Sequence, residues 1–407
     1  MNEMINSMQS TPLHHREGQG GGAPIPVEFD DIRPYSPEEL PAVYEELIAD
    51  EAFRSVMGKV MPGIPFDMIA MKMRQCKTNL EFQKAFCYPF LHDLVNKCSA
   101  GMSMDCTAIQ GDSFPHTFIT NHRDIVLDSA LLSVLLVDNG QNTVEIAIGD
   151  NLLIFPWIKK LVRINKSFIV QRALTMRQML ESSARMSRYM HFAINEKNEN
   201  IWIAQREGRA KDSDDRTQDS VLKMMAMGGE GSIVERLKGL NITPAAISYE
   251  YDPCDYLKAK EYQQKRDNPE FKKSREDDLL NMQTGIFGRK GHIHFQLTPC
   301  INEKLDALDP TMPKTEIFTA ISAMIDEQIH ANYRFYPGNY VAYDWLMGEG
   351  KCADKYTAEE KNVFEKYIEG QLAKIDLPNK DEEFLREKML TMYANPVKNY
   401  LKATLVD

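Results

Sequence analysis

From about residue 103 the chain changes texture, and that change limits what it can fold into. Short β-favouring runs recur at Met104–Ile109, Thr117–Thr120, Thr143–Ile148, Ser167–Val170, Ile201–Ala204, Ala245–Ser248 and His292–Leu297. Between several of them lie helical patterns, notably Ser129–Val137, Leu174–Phe192 and Gln218–Met227. Strands interleaved with helices bury their apolar faces by layering helices on a sheet. The expectation is an α/β fold, a mixed sheet flanked by helices.

The flanks read differently. Residues 1–35 are rich in Gly, Pro and polar side chains and predict a mobile tail. Ser36-Pro37-Glu38-Glu39 then has the form of a helix start: a capping serine, Pro at the first helical position and Glu closing the box. Leu40, Val43, Tyr44, Leu47 and Ile48 follow at helical spacing, with further helices over Phe66–Arg74 and Asn79–Lys97. The expected organisation is a tail (1–35), a helical bundle (36–102), an α/β domain (103–310) and a helical C-terminal extension (311–407). Within the α/β part, residues 255–283 are so charged that a solvated helix and loop are expected.

The chain of 407 residues has a formal charge of −11, which gives nucleic acid no reason to bind broadly. Contact with an anionic surface would need a local basic patch, and Lys159–Lys166 and Arg206–Arg216 are two candidates. No window approaches the ~18 uninterrupted apolar residues of a spanning helix. The first residues lack the basic and apolar regions of a signal peptide. The expected location is cytoplasmic, peripheral on the inner face of the cell membrane. Seven cysteines, odd in number and without a CxxC pair, point to reduced thiols. His292 and His294 alternate along one strand and His14-His15 lie in the tail, but neither pair has the partners of a metal site, so no metal is expected.

Chemistry concentrates in Thr117-Phe-Ile-Thr-Asn-His-Arg-Asp-Ile-Val-Leu-Asp128. A strand ends in Asn121-His122, and Asp128 follows before an apolar helical run. Imidazole accepts a proton near neutral pH, and a carboxylate can fix its tautomer and steady the charge that forms. Read alone, the pair is better described as a surface histidine beside a helix N-cap; the order of motifs downstream changes that. Three further stretches come in order: Ser167-Phe-Ile-Val-Gln-Arg172, Ile201-Trp-Ile-Ala-Gln-Arg-Glu-Gly-Arg209, and Ile242-Thr-Pro-Ala-Ala-Ile-Ser-Tyr-Glu250.

This ordered set resembles the glycerolipid acyltransferases, whose signature is a histidine–aspartate block, an arginine block, a Glu-Gly-x-Arg block and a proline-containing strand. The likeness covers roughly residues 103–300. Phe335-Tyr-Pro-Gly-Asn-Tyr-Val-Ala342 resembles a stretch of the glycerol-3-phosphate branch, and the helices ahead of residue 103 also suit that branch. The sequence departs from the pattern twice. Five residues rather than four separate His122 from Asp128, which leaves Asp124 as an alternative partner. The third block reads Glu-Gly-Arg-Ala-Lys, so the expected arginine is displaced to Arg209 or replaced by Lys211.

The resemblance implies direct transfer of a fatty acyl group from a thioester, acyl-CoA or acyl carrier protein, to a hydroxyl of glycerol 3-phosphate or a lysophospholipid, as in phospholipid biosynthesis. It implies no cofactor. His122 would be the base and Asp128 its orienting partner. Arg172 and Arg209 would bind phosphate, with Lys211 and Arg206 in reserve, because guanidinium makes paired bonds to phosphate oxygens. Glu207 would brace the site, Gly208 would allow close approach of the chain, and Pro244 and Tyr249 would shape the pocket. Asn121, Arg123 and Asp124 would support the histidine block. Phe155-Pro-Trp157 beside Lys159 and Lys160 suits a membrane interface or a thioester entrance, and equally a buried aromatic cluster. The competing readings are transfer to a lyso-aminolipid or other hydroxylated lipid, a non-catalytic lipid- or carrier-binding protein, and a thioester hydrolase. No Gly-x-Ser-x-Gly elbow supports the last.

Overall fold

The computed structural model describes residues 24–172, 175–348 and 350–405. Seven strands form one sheet: β1 (Gly101–Asp105), β2 (Thr117–Thr120), β3 (Val144–Gly149), β4 (Ser167–Val170), β5 (Asn200–Ala204), β6 (Ile242–Tyr249) and β7 (His292–Leu297). Their order is β1-β7-β6-β2-β5-β3-β4. β6, β2, β5, β3 and β4 run parallel, while β7 is antiparallel to β6 and β1 follows β7. The fold is α/β, a mixed sheet with helices on both faces.

Because both faces are covered, the inner strands read as continuous apolar runs rather than alternating ones. Phe118 and Trp202 enter a core with Leu131, Leu135 and Phe295. Ile119, Ile201 and Ile203 enter the opposite core with Tyr189, Met190 and Ile325. β2, β4 and β7 have their expected bounds. β1 begins and ends earlier than expected, because Asp105 Oδ1 accepts both the Thr107 N–H (2.9 Å) and its hydroxyl (2.6 Å). That local turn competes with extension, and Thr107–Ile109 coils into a single 3₁₀ turn.

Ahead of the sheet, helices Leu40–Ala49, Glu51–Val60 and Phe66–Gln75 pack with a long helical stretch from Asn79 to Cys98. The first helix starts at Leu40, not at the Ser36 box. Glu39 takes the Ser36 N–H (2.6 Å) and also pairs with Arg33, so residues 36–39 make a turn instead. The expected mobile tail is also shorter. Phe29 and Ile32 are buried, Phe29 against Tyr189, and the Ile169 N–H donates to the Ile32 carbonyl (2.9 Å). Residues 1–23, with His14-His15, lie outside the described residues.

The C-terminal region is four helices, Lys314–Ala331, Pro337–Met347, Ala358–Ala373 and Glu382–Thr404. Ile321, Ile325 and Ile329 of the first share a core with Ile242 and Ala246 of β6, so packing is continuous across residue 310. The charged stretch 255–283 is not simply solvated. It forms helices Asp255–Asp267 and Arg275–Phe287, and Asp255, Lys258 and Glu261 are buried in ion pairs and hydrogen bonds.

Candidate active site

Four adjacent parallel strands, β2, β5, β3 and β4, end at one edge of the sheet. Open α/β sheets bind ligands outside the carboxyl ends of such strands. His122 follows β2, Arg206 and Glu207 follow β5, Gly149 ends β3, and Arg172 follows β4. The chain order of the motifs is thus converted into a row of side chains at one edge.

The loop from β2 to helix Leu127–Asp138 is closed by one carboxylate. Asp128 is fully buried in the first turn of that helix. Its Oδ2 lies 2.8 Å from His122 Nδ1 and also accepts the N–H groups of Arg123 (2.7 Å) and Asp124 (3.0 Å). A carboxylate only accepts, so Nδ1 carries the proton and Nε2 is left to take one. The five-residue separation is absorbed by this loop folding back on Asp128. Asp124 does not share the orienting role. Its Oδ1 accepts from the N–H groups of Val126 (2.9 Å) and Leu127 (2.8 Å), capping the helix. Burial, and then the neighbouring Asp128, push the Asp124 carboxyl above its usual range.

Several neighbouring side chains hold this loop in place. Asn121 extends the β2–β6 pairing through its side chain, accepting from the Ile247 N–H (2.7 Å) and donating to the Ile247 carbonyl (2.9 Å). The Tyr249 hydroxyl is 3.4 Å from Asp128 Oδ1, and burial followed by the Asp128 charge pushes its pKa well up. Trp202 stands edge-on to the His122 ring, 5.8 Å away between centroids. Arg123 is buried on Asp215 at 2.7 Å. Breaking such a buried pair from one side costs about 3–5 kcal/mol, so the loop is held far more firmly than a surface turn.

His122 lies at the wall of a cleft of ≈ 840 Å³. One side is helix Leu127–Asp138, which presents Ser129, Ala130, Ser133, Val134 and Val137; the other is the N-terminal bundle, through Val56, Met57, Val60 and Phe86. A widened helical turn at Gln83–Cys87 contributes several lining residues, a device that often marks functional sites. The lining is overwhelmingly apolar, and the polar groups in it include Arg172, Arg206, Glu207 and Gln218 from the loops at the carboxyl edge of the sheet. Apolar volume with a few convergent polar groups is the usual form of a small-molecule site.

The cations do not all reach it. Arg172 does, crossing over Gly149, where a Cβ would come within 2.7 Å of Arg172 Nε. It is half-exposed and pairs with the exposed Glu207 at 3.1 Å, a contact worth about 1 kcal/mol or less that a phosphate could displace. Arg206 also lines the cleft, and its Nε is buried without a protein partner. Arg209 and Lys211 are not brought to the cleft. Gly208, at φ +67°, turns the chain away after Glu207. Arg209 then donates to Asn281 Oδ1 (3.2 Å). Lys211 is held by Glu261, which also binds Lys265 and Lys273 at 3.0 Å each. Burial, only partly offset by Glu261, lowers the Lys211 pKa.

Pro244 sits within β6 opposite Ile119 and does not line the cleft. Its carbonyl accepts from the Thr298 N–H (3.1 Å) and hydroxyl (2.7 Å). His292 pairs with Glu250 (2.8 Å) and His294 with the Ser103 hydroxyl (2.8 Å). Among the described residues no three His, Cys, Asp or Glu side chains gather as a metal site would require. The seven cysteines are unpaired. Sequence reasoning missed Asp215 and Trp202; the only local signal was the acidic run Asp212–Asp215 just past the third block.

The site is thus a histidine–carboxylate pair at the carboxyl edge of an α/β sheet, opening on an apolar cleft. The acyltransferase family model matches residues 113–248, the segment that carries the pair and the β5 and β6 motifs; this segment is an acyltransferase domain, and the protein an acyltransferase. No curated protein sequence matches the chain. Among solved structures, the 1-acyl-sn-glycerophosphate (LPA) acyltransferase PlsC from Thermotoga maritima is similar at 10% identity, covering 74% of this chain and 100% of that one, with a TM-score of 0.35. A TM-score that low adds nothing to the fold derived above.

Proposed function

We propose that this acyltransferase moves a fatty acyl group from a thioester to the hydroxyl of a phosphate-bearing glycerol, glycerol 3-phosphate or a lysophospholipid. The observation that carries this reading is the His122–Asp128 pair, 2.8 Å apart, at the wall of a ≈ 840 Å³ apolar cleft. The acyl chain fills the cleft and leaves its carbonyl beside His122. As the acceptor oxygen attacks that carbonyl, His122 Nε2 takes the hydroxyl proton, and Asp128 steadies the imidazolium. Collapse of the tetrahedral intermediate forms the new ester and breaks the C–S bond. The leaving thiolate recovers the proton from His122. No enzyme nucleophile enters, so no cysteine is spent. The donor is acyl-CoA or acyl carrier protein.

Arg206 and Arg172 receive the phosphate. A second acceptor class has its own support. Arg172 is already paired with Glu207, and Lys211 with Glu261, which leaves fewer free cations than a phosphate site usually offers. A lyso-aminolipid or other phosphate-free hydroxyl lipid fits that arrangement. Transfer of a labelled acyl group to glycerol 3-phosphate, lysophosphatidate and a lyso-aminolipid separates the two; no transfer to any of them sinks the proposal.

Peripheral contact with a membrane fits the same geometry. No helix among the described residues is long and apolar enough to cross a bilayer. Near the cleft, Ile154, Phe155, Met176 and Leu180 are exposed, and Met176 and Leu180 lie one turn apart on the same helix face as the cleft-lining Met179. Co-sedimentation with anionic phospholipid vesicles tests this, and protein that stays in the supernatant contradicts it.

A further inference from the structure

The two residues flanking His122 are both tied to one carboxylate outside the histidine motif. Asp215 is fully buried. It accepts from Arg123 Nη2 (2.7 Å) and Nη1 (3.3 Å), and from Asn121 Nδ2 (3.4 Å). A third donor arrives from the C-terminal extension, the Tyr333 hydroxyl at 2.6 Å. His330 Nε2 donates to the Asp215 backbone carbonyl (2.7 Å). Ser213, two residues earlier, adopts φ +55°, a left-handed conformation uncommon outside glycine, as the chain turns Asp215 inward.

We infer that Asp215 is a positioning residue for the base, and that Tyr333 of the C-terminal extension completes its setting. The inference rests on the reading of His122 as the proton acceptor. The chain of causes is short. Arg123 offers its backbone N–H to Asp128 Oδ2, the same oxygen that holds His122 Nδ1. Its guanidinium is buried, and Asp215 is the carboxylate that neutralises it. Without that charge Arg123 is driven toward water, and its backbone N–H leaves Asp128. The carboxylate then swings, and the imidazole loses both its tautomer and its aim. A buried pair of this kind adds little stability over apolar packing, so specificity of geometry is the better account of it. The helices after residue 310 are therefore part of the active-site scaffold, although they lie beyond the matched segment 113–248.

The test compares wild type, Asp215→Asn and Tyr333→Phe by two readouts. One is steady-state transfer to the acceptor preferred in the panel. The other is NMR of nitrogen-labelled histidine, with His122 assigned by its disappearance in His122→Ala. Misplacement by about 1 Å can reduce a rate on the order of 100-fold. The expected kcat loss is of that size in Asp215→Asn and about 10-fold in Tyr333→Phe, with acceptor KM changed less than about 2-fold. In both variants the His122 Nδ1–H resonance shifts or broadens. The spectrum needs no turnover, so a wild type without transfer defeats the functional reading while leaving this one testable. If Asp215→Asn does not fold, Tyr333→Phe, which removes a single hydroxyl, carries the test. An unaltered His122 resonance in a folded variant, with or without loss of rate, overturns the inference.

Discussion

The two ends of the site are built in opposite ways. At the end proposed to react, His122 and its loop are locked: Asp128 and Asp215 are fully buried, and between them they accept from His122, Arg123, Asp124, Asn121 and Tyr333. At the end proposed to bind phosphate, the half-exposed Arg172 and the exposed Glu207 make one pair at 3.1 Å, while Arg206 leaves a buried nitrogen unpartnered. A base must be aimed before substrate arrives, because small misplacement is expensive in rate. Groups that grip a phosphate can wait for it, since the ligand itself completes their bonding.

That contrast predicts which substitutions change kcat and which change KM. The largest effect belongs to the locked end. Asp128→Asn keeps the shape but permits the wrong imidazole tautomer, and kcat is expected to fall between about 10²- and 10⁴-fold; a loss confined to KM in steady-state assays would contradict the contrast. Next comes the cleft. Ser133 lies one helical turn beyond Ser129, about 6 Å further along the wall. Ser133→Phe should lower kcat/KM for long-chain thioesters at least about 10-fold and spare short ones, as a chain-length series would reveal. At the open end, Arg206→Ala should raise the KM of a phosphate-bearing acceptor about 10-fold with kcat little changed. Lys211→Ala, whose partner is Glu261, should leave that KM alone.

The smallest effect concerns stability rather than turnover. Burial raises the Glu261 pKa, but hydrogen bonds from Lys211, Lys265 and Lys273 outweigh it and bring the carboxyl down to about 2. A carboxyl depressed on folding stabilises the protein above its unfolded pKa of about 4.3, and that contribution is lost as pH falls through the folded value. Allowing for screening of the partly exposed lysines, this amounts to on the order of 1–2 kcal/mol. Glu261→Gln should therefore lower Tm at pH 7, and the gap from wild type should narrow between about pH 4.3 and about pH 2; a gap independent of pH would exclude the linkage.

What could be read from sequence follows from how local each feature is. The strands were legible because β2, β4 and β5 are short apolar runs, buried on both faces and bounded by polar turns. His122 and Asp128 were legible because one loop contains them both. That Arg209 and Lys211 stay out of the cleft was not legible, because a single positive φ at Gly208 decides which cations after β5 face it. Asp215 and Tyr333 were illegible: they are 118 residues apart, and only the packing of the C-terminal helices on the sheet brings them together. The charged helix Asp255–Asp267 misled for a related reason, since its charges meet buried partners from distant segments.

The most direct test of the account is acyl transfer from a labelled long-chain thioester, run side by side on wild type and His122→Ala with the preferred acceptor. The account predicts transfer by wild type and a loss of at least about 10²-fold in the variant, with the variant still folded and still binding the thioester in its cleft. Transfer that survives at the wild-type rate in His122→Ala would contradict it.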